Sequence, residues 1–282
     1  MESVQNDYQL SERLLCAIHE KGPRQEENIL TLIGRGADIN RLHGNLLPLH
    51  YACVNGNENI VRLLIGLGAE VNAKDGYHRS ALHYAAESSE HCVLALLESG
   101  APVDGPDLHG NTPLHWASYK DRTDCARLLL DWGADPDALD HNLDSALSWA
   151  ALKGNLNSIT LLLKYNSCPN TVNLSGSSAL SRLATTIAIG IGSAQEDACL
   201  KLLLAASGQF DLRDPITGFF PNQLERDEEI RDLLLPYCVN SRRLEELCRW
   251  SVRRVLGPGL VLPKIETLPV SAKVKHYLLL EL

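Results

Sequence analysis

Asn111-Thr112-Pro113-Leu114-His115-Trp116-Ala117 is the stretch that decides how this chain folds. Across Pro48-Leu49-His50, Ala81-Leu82-His83, Pro113-Leu114-His115 and Ala146-Leu147-Ser148 the third positions lie 33, 32 and 33 residues apart. A second mark, Gly-Ala, keeps nearly the same interval at Gly36-Ala37, Gly68-Ala69, Gly100-Ala101 and Gly133-Ala134. Two independent marks with one period identify a repeat protein. A unit of about 33 residues cannot hide its own apolar face and must stack on its neighbours.

Each clear unit, at about 42 to 73, 75 to 105, 107 to 138 and 140 to 170, runs from a short loop into a first helix and then a second. Thr112 is placed to cap the free amides of one first helix, and Pro113 occupies its first turn, where no helical hydrogen bond is lost. Gly68, Gly100 and Gly133 suit the left-handed residue that ends each second helix. The unit at 75 to 105 is one residue short between its helices, at Glu87 to His91, which predicts a tighter turn there. Upstream, residues 8 to 20, with Leu10, Leu14 and Ala17 on one stripe, and residues 25 to 40 read as a worn first repeat. Its polar Glu12, Arg13, Glu26 and Glu27 suit a capping unit. Downstream, Ser178-Ala179-Leu180-Ser181 opens another first helix, but the next apolar helix, Ala198 to Ala206, comes late. The extra stretch from Thr185 to Ala194 predicts either a lengthened first helix or an inserted loop. Residues 215 to 237, with Phe219-Phe220-Pro221 leading into a helix from Glu228 to Leu235, read as a last partial unit.

The units resemble ankyrin repeats, most closely over Gly110 to Ala134. The resemblance implies an all-α solenoid of helix-turn-helix units with protruding hairpin loops, about six to seven units over residues 1 to 239, the first and last degenerate. It also implies that His50, His83 and His115 bridge backbone groups of neighbouring units. These histidines lie a full repeat apart, which argues against a shared metal ion. On the ankyrin pattern, hairpin tips and exposed faces of first helices bind the target. Carried onto this sequence, that surface is Tyr77 and Arg79, then His109, Asn111, Tyr119 and Lys120, then His141, Asn142, Asp144 and Lys153.

The chain has 282 residues, 45% of them hydrophobic, and a formal net charge of −9. Residues 241 to 282 carry eight Lys and Arg against four Asp and Glu, a balance of +4 that leaves −13 for residues 1 to 240. An acidic array is unsuited to a phosphate backbone, so nucleic acid is not an expected partner. The basic charges of the tail alternate with apolar residues, as on a solvated helix face. None of the eight cysteines forms a C-x-x-C pair, and Cys53, Cys92, Cys125 and Cys199 sit in apolar helical patterns, which fits buried thiols in a reducing compartment. The first residues lack the pattern of a signal peptide, and the apolar run from Leu183 to Gln195 is too short to span a bilayer. A cytoplasmic or nuclear location without membrane attachment is expected.

After Asn240 the period stops. Residues Arg242 to Leu256 place Leu244, Leu247, Cys248, Val252 and Val255 at helical spacing. Gly257-Pro258-Gly259 ends that helix. A Pro-containing connection from Leu262-Pro263 to Leu268-Pro269 follows, and a last helix from Ser271 carries Val274, Tyr277, Leu278 and Leu282. A module this small and apolar is expected to pack on the array, on a partner, or on both. Residues four apart share a helix face, so Leu244, Cys248 and Val252 make a narrow stripe suited to a partner's groove, with Cys serving as a compact hydrophobe.

Residues 240 to 282 resemble a SOCS box. The family's Elongin-binding pattern is met at Leu244, Cys248 and Val252, with Leu247 on the same helix and Arg243 departing at the first position. Its cullin-recruiting Leu-Pro-aliphatic-Pro is met at Leu268, Pro269 and Val270, with Ser271 in place of the last Pro. Array and box together resemble the ankyrin repeat and SOCS box family. The resemblance implies a substrate-recognition subunit of a cullin-RING ubiquitin ligase. In that role the array holds a target protein and the box recruits Elongin B, Elongin C and a cullin of the cullin-five type with its RING protein. The alternative is an ankyrin scaffold or inhibitor that binds a protein without promoting ubiquitination. Catalysis, a metal and a cofactor are not expected, because no H-E-x-x-H, Walker or G-x-S-x-G motif is present and the pair His91-Cys92 lacks a third group to orient a base.

Overall fold

The computed structural model describes residues 2–20, 22–188, 194–207, 232, 234, 252–253, 255–256, 261–268 and 270–279. Regular structure among these residues is helical, and β-structure is confined to the isolated bridges His43 to Leu46, Lys74 to Ser80, Leu139 to Ser145 and Val172 to Ser178 at the hairpin loops. This is the all-α ankyrin architecture.

The helices, numbered here in chain order, are α1 (Glu2–His19), α2 (Gln25–Gly34), α3 (Pro48–Val54), α4 (Glu58–Gly66), α5 (Ala81–Ser88), α6 (Glu90–Glu98), α7 (Pro113–Tyr119), α8 (Thr123–Asp131), α9 (Ala146–Lys153), α10 (Leu156–Lys164), α11 (Ala179–Thr186), α12 (Ala194–Ala206), α13 (Val261–Glu266) and α14 (Ala272–Leu278). The first helix reaches back to Glu2, beyond the stretch its apolar stripe suggests. Only Ser89, in an extended conformation, separates α5 from α6, which is the tight turn expected of the shortened unit. After α6, Gly100 has φ +85° and its amide donates to Leu97 O, while the amide of Ala101 donates to Leu96 O. These two bonds close the helix as a left-handed C-terminal cap. The added stretch after Thr185 begins as a widened helical turn at Ile187 and Ala188, and residues 189–193 lie outside the described residues. So does the partial unit at 215–237, apart from Asp232 and Leu234.

Two compact units are present. The first comprises Met1–Ala117 and Asp124–Ala134, the second Ser118–Thr123 and Asp135–Leu282, so the division falls inside the array. In the first unit α1 packs on α2 and α3, α3 on α4 and α5, and α6 on α4 and α5. Its interior holds Leu14, Ile18, Ile29, Leu64, Leu82, Leu96 and Leu129. In the second unit α9 packs on α10 and α11, and α12 packs on α10 and α11, around Leu147, Ile159, Leu162, Leu183 and Leu203. Toward the C-terminus, α13 packs on α14. The expected connection from Leu262 to Leu268 is therefore largely helical. Pro263 is accommodated because it sits in the first turn of α13, whose amide needs no intrahelical acceptor.

Buried histidines supply the bonds between layers. His83 Nδ1 accepts from the Ser80 amide at 3.1 Å, closing the start of α5, and Nε2 donates to Asn111 O in the next hairpin at 3.0 Å. His50 Nδ1 accepts from the Leu47 amide at 3.1 Å, and the ring also bonds the Ala73 backbone. His115 Nδ1 accepts from the Thr112 amide at 3.1 Å. The cysteines Cys53, Cys92, Cys125 and Cys199 are buried free thiols, and burial pushes those of Cys92 and Cys199 up to about 11.

Burial lowers the His50 imidazole to about 4 from an ordinary 6.5, and lowers His83 in the same direction. Between those values the unfolded chain binds more protons than the folded one, so stability is full above 6.5 and is lost as pH falls toward 4. Denaturant unfolding at pH 5 is expected to give a stability below that at pH 7 by about 2 kcal/mol from His50 alone. The imidazole resonance of His50 should remain that of the Nε2–H neutral form at pH 6, and that of His83 should titrate below its ordinary value.

Candidate protein-binding surfaces

The four hairpins that follow residue 74 are each built around one acidic or amide side chain. Asp75 Oδ1 accepts from the amides of Tyr77 (2.7 Å) and Arg79 (2.8 Å), and Asp107 Oδ1 from those of His109 (2.8 Å) and Asn111 (2.9 Å). Asp140 Oδ1 accepts from Asn142 and Asp144, both at 2.8 Å, and Asn173 Oδ1 from Ser175 and Ser177. The second carboxylate oxygen reaches the first helix. Tyr84 Oη donates to Asp75 Oδ2 at 2.5 Å, Trp116 Nε1 to Asp107 Oδ2 at 3.3 Å, and Trp149 Nε1 to Asp140 Oδ2 at 3.2 Å. The three aspartate loops are thus locked to an aromatic ring on the helix that follows each. Burial alone would raise the Asp107 carboxyl, but hydrogen bonds from the Asn111 side chain and backbone, the His109 amide and Trp116 outweigh it and hold the carboxyl below its usual range. Burial, and then the bond to Asp75, push the Tyr84 phenol upward.

In the first unit, Tyr77 and His109 are exposed at hairpin tips, and the two hairpins join where the Leu108 amide donates to Tyr77 O at 3.0 Å. Arg79 is only partly exposed. Its guanidinium lies over the Trp116 ring at 3.8 Å and 5.7 Å from the Tyr84 centroid, with Asp107 at 3.8 Å and Glu87 at 3.9 Å. Asn111 departs from its expected place on the surface. It is 3% exposed, because its Nδ2 turns inward to Asp107 Oδ2 at 3.0 Å while its carbonyl receives His83.

In the second unit, His141, Asn142, Lys120 and Lys153 are exposed. Tyr119 packs edge-on against Trp149 with centroids 5.5 Å apart, and the ammonium groups of Lys153 and Lys120 lie 4.7 and 5.8 Å from its ring centre. Asp144, expected on the surface, is 2% exposed and accepts from Arg182 Nη2 at 2.8 Å and Asn173 Nδ2 at 3.1 Å. Both corrected residues follow the loop tip, where the returning chain points its side chain inward, Asn111 to Asp107 of its own loop and Asp144 to Asn173 and Arg182 of the following unit.

Sequence reasoning missed the aspartate–aromatic pairs, although Asp75, Asp107 and Asp140 recur at the repeat's own interval, nine residues before Tyr84, Trp116 and Trp149. It also missed an apolar patch on two successive hairpins of the second unit: Leu139, Leu143, Val172 and Leu174, the last 71% exposed. Leu143 holds φ +63°, a conformation that its counterparts Gly110 and Gly176 adopt without side-chain strain.

In the terminal region, Ile265 and Leu278 form a small buried cluster against which Val252, Leu256, Leu268 and Leu279 pack. Val252, expected to face a partner, is partly buried and packs against this cluster from its margin. Val255, three residues on, is 87% exposed. Of the cullin-type motif, Leu268 is half-buried in the cluster and Val270 is exposed. Leu244, Leu247, Cys248 and Pro269 lie outside the described residues.

Comparison with known proteins gives two family matches: ankyrin repeats in three copies, over residues 14–107 and 75–140, and a SOCS box over residues 240–279. The chain is 60% identical over 280 residues to Ankyrin repeat and SOCS box protein 8 of Mus musculus, covering 99% of this chain and 96% of the relative. The proteins of the same name from Homo sapiens and Bos taurus match at the same identity and coverage.

The stacked Arg79 and the exposed Tyr77 should separate on substitution. Arg79→Ala removes a cation–π contact and the packing of its aliphatic stem, and urea unfolding should show a loss of about 1–2 kcal/mol. Tyr77→Ala should change stability by no more than about 0.5 kcal/mol.

Proposed function

Because this chain belongs to the ankyrin repeat and SOCS box family, we propose that it is the substrate-recognition subunit of a cullin-RING ubiquitin ligase. The carrying observation is the pairing, in one chain, of an ankyrin array with a SOCS box at residues 240–279. In this reading the array binds a target protein, and the box recruits Elongin B, Elongin C and a cullin of the cullin-five type with its RING protein. The chain makes and breaks no bonds, and ubiquitin chemistry resides in the recruited partners. The work takes place in the cytoplasm or nucleus.

Leu244 and Cys248, four positions apart in the sequence, are the Elongin anchors, with Leu247 as a third. Leu268, Pro269 and Val270 are the cullin motif, and of the described members Val270 is the exposed one. Target contacts fall on Tyr77, Arg79 and His109 in the first unit, and on Tyr119, Lys120, His141, Asn142 and Lys153 in the second, with the apolar tips Leu143 and Leu174. Rigid aromatic and cationic side chains on a fixed scaffold bind a protein at low entropic cost. A second reading, a scaffold that captures its target without promoting ubiquitination, is favoured by one feature: Ser271 stands where the cullin motif has a proline.

Co-purification with Elongin B and C is expected for the wild type and lost in a Leu244→Asp, Cys248→Asp variant. A folded wild type that fails to retain Elongin removes the receptor reading. Undetectable affinity of the Elongin-bound complex for the cullin would transfer the assignment to the scaffold. A Tyr77→Ala, Tyr119→Ala variant should lose the target while keeping Elongin, and equal target retention would move the binding surface elsewhere.

A further inference from the structure

Arg253 is 7% exposed, and it lies in the terminal region rather than in the repeats. Its Nη1 donates to the carbonyl of Leu278 at 2.8 Å, and its Nη2 donates to the carbonyl of Leu163. Leu278 is the last residue of α14, and Leu163 lies in the final turn of α10, the second helix of the unit at 140 to 170. In return, the Arg253 carbonyl accepts from Asn166 Nδ2 at 2.7 Å. Asn166 holds φ +67°, the left-handed conformation that ends α10.

These bonds converge on a physical preference of helices. The last carbonyls of a helix lack intrahelical donors and carry the negative end of its dipole, so a cation placed there is stabilised and the carbonyls are satisfied. A single guanidinium serves two such ends at once because its planar fork presents donors in divergent fixed directions, which an ammonium cannot reproduce. One of the two ends belongs to the box and the other to the ankyrin array. With the Asn166 bond running in the opposite sense, array and box are joined by reciprocal polar contacts, each of which requires the other side to be in place.

We propose that Arg253 is a positioning residue that locks the terminal box onto the array through α10. Box and the array portion it contacts then move as one body. Resting on the receptor reading above, this means that whatever the box recruits is presented at a defined distance from the target surface around Tyr119 and Lys153. Leu163 and Arg253 are separated by 90 positions in the chain, so this restraint acts where chain connectivity alone provides little.

The test uses the full chain with Elongin B and C bound, carrying dyes on azide-bearing residues introduced at the exposed positions Leu152 and Val274, and reads the single-molecule distance distribution. The wild type should give one narrow distribution. Arg253→Ala should broaden it and raise amide exchange at the C-terminal end of α10 by about tenfold, the loss expected for a buried charge-assisted hydrogen bond. Arg253→Lys, able to reach one carbonyl, should fall between the two. Asn166→Gly keeps the left-handed backbone and the capping of α14 but deletes one array-to-box bond, so it reports on positioning even if Arg253→Ala unfolds the box. Broadening in Asn166→Gly supports the lock. A distribution as narrow as the wild type in both Arg253→Lys and Asn166→Gly overturns it, leaving Arg253 a cap for α14. Failure of the wild type to bind Elongin would remove the receptor reading instead, and the same distributions, measured on the chain alone, still decide the lock.

Discussion

A buried imidazole that accepts a hydrogen bond from its own helix start and donates one to the next hairpin is the interaction on which the array depends. His83 spends both ring nitrogens this way, on Ser80 and on Asn111, and His50 does the same between Leu47 and Ala73. Each unit alone is too thin to enclose its apolar side, so stability has to come from the joints. Dispersion forces between stacked leucines are strong but permit sliding, whereas a histidine with two backbone partners admits one register. The neutral state this demands is why burial drives the His50 pKa down to about 4.

From that register follows the stiffness of the loops. Asp75, Asp107 and Asp140 each divide their two oxygens between the hairpin backbone and an aromatic ring on the following helix, so the tips cannot drift from the helices that carry them. Residues exposed at such tips are preorganised, and little conformational entropy remains to be lost on binding. Arg79 shows the other side of the same economy of placement. Stacked over Trp116 and close to Asp107, it is both part of the frame and partly open to solvent. Leu143 contrasts with it, holding a strained backbone with its side chain outward.

The terminal region obeys a different constraint. Among the described residues, the six of α13 and seven of α14 enclose Ile265 and Leu278, with Val252, Leu256, Leu268 and Leu279 at the margin. So small a core gains from attachment to a larger body. Arg253 provides that attachment through polar bonds to helix ends, which leaves apolar residues such as Val255 facing outward.

Much of this was legible in the chain itself. The period, the Pro and Gly punctuation and the helical spacing after Asn240 sufficed for an all-α repeat array with a separate terminal box, because those features reflect local backbone chemistry that holds in every unit. They also predicted the tight turn at Ser89, and the resemblance to ankyrin repeats implied the bridging seen for His50 and His83. What periodicity does not encode is which way a side chain points once the chain has reversed at a hairpin tip, and so Asn111 and Asp144 were expected outside when their partners, Asp107 and Arg182, hold them inside. Nor does helical spacing tell which face of a short amphipathic helix meets its own module. Val252, expected on a partner-facing stripe, also packs at the margin of the Ile265 and Leu278 cluster. The reach of Arg253 to Leu163 is the clearest case of what tertiary structure alone decided, since a bond between residues 90 positions apart exists only after both helices have found their places.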